Sequence, residues 1–77
     1  MGKPLAYLGY FESDTPYDSI SKSGYGFSTT RDGSGLLGNF IIMTYSSSKT
    51  VVKFGIGGSC KIRISNLNGV WSEWKSL

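Results

Sequence analysis

The side chains that enzymes use for acid–base and nucleophilic work are scarce in this chain. It contains no histidine, the usual general base near neutral pH. Its five acidic residues, Glu12, Asp14, Asp18, Asp32 and Glu73, fall in turns or beside polar neighbours. A pair of carboxylates can hydrolyse a glycoside, but 77 residues leave little material for a deep substrate cleft. Serine precedes lysine at Ser21-Lys22 and Ser48-Lys49, both in segments of loop character, where composition alone accounts for the pairing. Cys60 has no activating base beside it. It alternates with Ile62 and Ile64, which reads as an inert thiol buried on an apolar strand face. One cysteine rules out an intrachain disulfide. Without histidine or a second cysteine, no ordinary zinc set can be assembled. The residues therefore predict a chain that is not an enzyme and needs neither metal nor cofactor.

Binding chemistry is better supplied. Aromatic residues make up 14% of the chain, and rings offer a rigid apolar face with a polar tip, the surface that sugars stack on. Tyr7, Tyr10, Tyr17 and Tyr25 are the candidate glycan contacts, with Arg31 and Asp32 as loop residues able to add hydrogen bonds. Lys22-Ser23-Gly24-Tyr25-Gly26-Phe27 resembles the aromatic RNA-binding strand of cold-shock and RRM proteins. Ser28-Thr29-Thr30 follows it, however, in place of an aliphatic residue, and no second aromatic strand of that kind is visible. The net charge of +3 comes from basic residues spread along the whole chain. A dispersed set reads as solvated surface, so nucleic acid is not the expected partner.

These residues are carried by a turn-rich chain with strand signals and no capped helical pattern. Leu5 to Phe11 is an apolar and aromatic run, stopped by the turn residues Glu12 to Pro16. Tyr17 to Ser23 reads as polar loop. The stretch TRDGSG, Thr30 to Gly35, is a turn, with Asp32-Gly33 as a hairpin signal. Leu36 to Tyr45 contains the unbroken run Phe40-Ile41-Ile42-Met43, the pattern of a strand covered on both faces. Ser46 to Lys49 reads as loop, and Val51 to Ile56 as a strand closed by Gly57-Gly58. Cys60 to Ser65 alternates, with Cys60, Ile62 and Ile64 on one face and Lys61, Arg63 and Ser65 on the other. Asn68-Gly69 marks the tip of the last turn.

No stretch approaches the ~20 apolar residues of a membrane-spanning helix, and no insertion into a membrane is expected. The N-terminal MGKPLAYLGY lacks the features of a secretory signal. A single domain of this size is marginal alone. Small scaffolds are stabilised by disulfides, a metal or oligomerisation, and here oligomerisation is what remains. One thin sheet cannot bury both sides of Phe40 to Met43, so the run predicts that copies of the chain pack on one another.

The C-terminal half carries a pattern. Gly35-Leu36-Leu37-Gly38 leads into Phe40-Ile41-Ile42-Met43, then Val51-Val52-Lys53-Phe54, then Lys61-Ile62-Arg63-Ile64, then Asn68-Gly69. Trp71-Ser72-Glu73-Trp74-Lys75-Ser76-Leu77 closes it. The Trp-Ser-x-Trp element lacks the fifth-position serine and the paired cysteines of cytokine receptors. Over residues 24–77 the chain instead resembles the C-terminal knob or tip domains of phage tail fibres and pyocin-like fibres. It departs from that pattern at Lys53, where glutamine is usual, and at the isoleucines flanking Arg63, where aromatics are common. Residues 1–23 form an N-terminal strand and loop outside it.

The resemblance implies a homotrimeric fibre tip on a virion, made in the host cytoplasm, that helps the shaft assemble or contacts a host cell-surface polysaccharide. Two other readings stay open: a trimerisation cap or folding chaperone without a ligand, and a small basic single-stranded nucleic-acid-binding domain. The expected fold is all-β, a small antiparallel sandwich or barrel over residues 1–77, assembled as a homotrimer. Phe40, Ile42, Arg63, Trp71 and Trp74 are the expected structural and assembly residues. Trp71 and Trp74 are three apart, so only a bulge or turn brings both rings inward, and Arg63 is placed to stack on a ring.

Overall fold

A computed structural model describes residues 6–12 and 16–77. Lys3, Leu5 and the turn residues Ser13, Asp14 and Thr15 lie outside the described residues. The fold is all-β, a single six-stranded sheet in sequence order. Its strands are β1 (Ala6–Phe11), β2 (Gly24–Ser28), β3 (Gly38–Tyr45), β4 (Ser48–Gly55), β5 (Cys60–Ser65) and β6 (Lys75–Ser76). From β2 onward the sheet is an antiparallel meander. The β1–β2 pair is parallel.

Two features differ from the sequence expectation. The chain forms one open sheet, where a sandwich or barrel was predicted, because its six strands all pair into a single layer. The parallel pair follows from the chain crossing between β1 and β2, since parallel neighbours cannot be joined by a tight hairpin. That crossing carries a 3-10 turn at Pro16–Ser19, which places Tyr17 and Ile20 in the core where a polar loop was expected.

The Asp32-Gly33 pair does not make a two-residue hairpin. A longer connection joins β2 to β3, with a 3-10 turn at Thr30–Asp32 closed by Gly33 in the left-handed conformation at φ 91°. The Asp32 side chain is drawn into the protein interior and is no longer available to a surface turn. The β3–β4 hairpin turns at Ser46-Ser47, pairing Tyr45 with Ser48.

One face of the sheet is covered. Phe40 and Ile42 of β3 and Val51 of β4 are fully buried there, with Tyr17 and Ile20 above them. Leu8, Phe11, Trp71 and Trp74 pack around the margin. The register sets small residues of β2 opposite the large ones of β3, with Gly26 against Phe40 and Gly24 against Ile42. A methyl group at Gly26 would stand 3.0 Å from the Phe40 ring and 2.5 Å from a backbone oxygen of β1. The glycine therefore lets β1 and the core ring close on β2.

The other face is the more open one among the described residues. Ile41 is half-buried and Met43 is 49% exposed. The run from Phe40 to Met43 thus has one buried side and one open side.

Candidate functional site

Two constellations stand out. The first is a buried ionic cluster between the sheet and the segments above it. Lys53 shares strand parity with Val51, so β4 aims its side chain into the covered side. Both Lys53 and Asp32 are fully buried. The Lys53 ammonium donates to Asp32 Oδ2 at 2.7 Å, to the Leu36 carbonyl at 2.8 Å and to the Thr29 carbonyl at 3.2 Å. Asp32 Oδ1 accepts from the Ser34 amide at 2.9 Å and the Ser34 hydroxyl at 2.6 Å. Its Oδ2 also accepts from the Tyr17 hydroxyl and, at 3.3 Å, from Ser28.

A buried ion pair is tolerated when its remaining lone pairs and protons are satisfied, and here every oxygen of Asp32 has partners. Burial by itself would raise the Asp32 carboxyl. The bonds from Lys53, Ser34 and Tyr17 overcome it and hold the group below the usual carboxylate range. Burial, reinforced by the bond to Asp32, raises the Tyr17 hydroxyl far above the ordinary phenol value. Tyr17 therefore stays a neutral donor, and the cluster is a set of fixed partners without an acid or base in exchange with solvent.

A clasp adjoins this cluster. The Arg63 guanidinium lies 5.1 Å from the centroid of the Trp71 ring and 5.9 Å from that of Trp74. Its Nε donates to the Ser72 carbonyl at 2.8 Å. Ser72 is bound to β5 at Ile64 through both its amide and its hydroxyl. The Trp71 indole donates to Asp18 Oδ1, and the Trp74 indole donates to the Asp32 carbonyl at 3.3 Å. Trp74 meets Tyr17 edge-on, with ring centroids 6.1 Å apart. The Trp-Ser-x-Trp segment thus folds back over β5 and closes the edge of the covered side.

The second constellation is the open face. In one row β1 to β5 present Tyr7, Tyr25, Ile41, Val52 and Ile62. In the next row they present Tyr10, Phe27, Asn39, Phe54 and Cys60. Met43, Thr50 and Ile64 form a third. Tyr7 and Tyr10 are three apart yet share this face, because a register shift between Tyr7 and Gly9, with Gly9 at φ 104°, takes up one residue. Their rings lie 5.4 Å from Tyr25 and 5.8 Å from Phe27. Between β1 and β5 no charged side chain interrupts these rows; Lys75, opposite Ile62, stands at the β6 margin.

The sequence-derived candidates divide between these places. Tyr17 and Asp32 belong to the buried cluster and are closed to a glycan. Tyr7, Tyr10 and Tyr25 are exposed together on the open face. Arg31 is exposed on the turn beside Asp32. Phe40 and Ile42 are core, and Arg63, Trp71 and Trp74 form the clasp. Cys60 is half-exposed on the open face, where burial was predicted.

The cations also depart from the expectation of a solvated set. Lys49 donates to the Tyr17 and Asp18 carbonyls, Lys61 to the Ser34 carbonyl, and Lys53 to Asp32. The sequence reading missed Lys53, Ser28 and Ser34, and the available signal for Lys53 was its parity with Val51.

Among the described residues no group of three or more His, Cys, Asp or Glu could hold a metal ion. No described helix is long and apolar enough to cross a membrane. No protein-family model, curated protein or solved structure matches the chain.

Proposed function

We propose that the chain is a non-enzymatic assembly module of the phage-fibre-tip type, working as a homotrimer. One observation carries this reading. Among the described residues the buried apolar core is five side chains, whereas twelve large apolar side chains are exposed. A 77-residue chain with so small a core and no disulfide is poorly equipped to stand alone. The terminal Trp-Ser-x-Trp segment, on which the resemblance to fibre knobs rests, supports the same reading, since it forms an ordered part of the fold.

Within the fibre reading, the cap role without a ligand is favoured over recognition of a host glycan. Two of the candidate contacts, Tyr17 and Asp32, are buried, and the other three tyrosines share their face with aliphatic rows. The nucleic-acid reading is weakened because Lys49, Lys53 and Lys61 are engaged by oxygens of their own chain.

Sedimentation of the full chain tests the reading. Three copies of the 8.4 kDa chain give a species of about 25 kDa. A stable 8.4 kDa species in concentrated solution would remove the proposal. A glycan array probed with the trimer then separates a cap, which binds nothing, from a receptor-binding tip.

A further inference from the structure

We infer that the open face of the sheet is the surface through which copies of this chain pack on one another, each covering the rows of the next. The inference deepens the assembly reading above and rests on it.

Five strands, β1 to β5, spaced ~4.8 Å apart and about six residues long at ~3.3 Å per residue give roughly 500 Å² of flat face. Two such faces remove roughly 1,000 Å² or more from water, the floor for a specific interface. A single apolar patch of this extent is at the upper end of what a lone soluble protein displays.

In β5 the polar and charged parity, Lys61, Arg63 and Ser65, points into the chain's own covered side, and β4 turns Lys53 there beside the core residue Val51. The apolar parity points out, as Val52, Ile62 and Ile64. An isolated sheet in water favours the reverse arrangement. The apolar parity is therefore placed for a second surface.

An acidic or basic partner finds no charge of either sign to match between β1 and β5. A membrane surface is favoured by a basic rim, yet Lys49, Lys53 and Lys61 are tied to the opposite side. A neutral, flat, apolar surface is matched by another of the same kind, and the chain itself supplies one. In a trimer the three faces meet about the threefold axis, each covering part of its neighbours' rows.

The test places charge where a lone chain tolerates it. Met43 is 49% and Ile64 45% exposed, so Met43→Glu and Ile64→Glu leave the single sheet foldable while putting an unpaired carboxylate into the inferred interface. Leu67 is 61% exposed but lies in the β5–β6 connection, off the face, and Leu67→Glu is the control. Sedimentation and tryptophan fluorescence of the full-length variants are compared with wild type, the fluorescence reporting the clasp on the other side.

Met43→Glu and Ile64→Glu are each expected to weaken association at least ~100-fold, Met43→Glu with unchanged fluorescence because it stands away from the clasp that Ile64 anchors, while Leu67→Glu matches wild type. An oligomer that resists both face variants overturns the placement and leaves self-assembly standing. A dimer dissolved by them supports the placement and removes the trimeric reading. A wild-type monomer overturns both.

Discussion

At the scale of single residues, the Asp32–Lys53 pair is the most consequential feature of the covered side. Each charge is buried, so removing one strands the other. Lys53→Met should destabilise the folded chain by ~3–5 kcal/mol, whereas Lys53→Met combined with Asp32→Asn should recover a large part of that loss. Urea denaturation of the two single variants and the double variant measures the coupling, and additive losses would show that the ion pair is not what the cluster depends on. The pH response follows from the same geometry. In the folded chain Asp32 sits below its ordinary range, so the unfolded chain takes up a proton first on acidification. Stability contributed by Asp32 is complete above about pH 4 and declines as pH falls below it. Tyr17 is shifted the other way. Its contribution is complete below about pH 10 and declines as the unfolded chain ionises above it. Denaturation midpoints followed from pH 3 to 11 should therefore fall at both ends, with a shallower alkaline fall in Tyr17→Phe; an unchanged alkaline slope in that variant would dissociate Tyr17 from the effect. Little of this was legible in the sequence. Asp32-Gly33 has the composition of an exposed hairpin turn, and only tertiary structure reveals that the carboxylate is turned inward onto a lysine 21 residues away.

At the scale of elements, β3 to β5 were readable and the first third of the chain was not. Strands β3, β4 and β5 announce themselves by apolar runs or alternation between turn residues, and antiparallel neighbours pair locally. The parallel β1–β2 pair depends on a crossing whose 3-10 turn has no periodic signal, so Tyr17 and Ile20 looked like loop. Alternation in β5 correctly separated Cys60, Ile62 and Ile64 from Lys61, Arg63 and Ser65. It did not tell which side the chain covers, because period two carries no label for inside. The C-terminal clasp yields a prediction at this scale. Arg63 combines two ring stacks with a hydrogen bond to the Ser72 carbonyl. An ammonium is a compact point charge that reproduces neither the flat stack nor the fork. Arg63→Lys should cost ~1–2 kcal/mol in urea denaturation and change tryptophan emission as Trp71 and Trp74 loosen. Unchanged emission with full stability would mean that the strand pairing at Lys75 and Ser76 holds the segment unaided.

At the scale of the whole molecule, the two faces of one sheet divide the work. The covered face spends its apolar side chains and its cations on holding the crossover, the β2–β3 connection and the C-terminal segment to the sheet. The open face keeps Tyr7, Tyr25, Ile41, Val52 and Ile62 in one row, with the two tyrosines exposed and the three aliphatic residues half-buried. If copies of the chain supply that row's cover, folding and association are linked, and stability must depend on protein concentration. For a trimer that dissociates as it unfolds, each tenfold rise in concentration adds roughly 0.9 kcal/mol per chain, which in a domain of this size raises Tm by about 5 °C. The same cover is apolar, so sodium chloride should leave Tm nearly unchanged while sulfate, which strengthens apolar burial, should raise it. Calorimetry over a hundredfold range of concentration in each salt reads both effects. A Tm that is flat with concentration would show that the chain is stable with its second face bare, and a Tm that falls steeply in sodium chloride would show that charge, not apolar contact, holds the copies together.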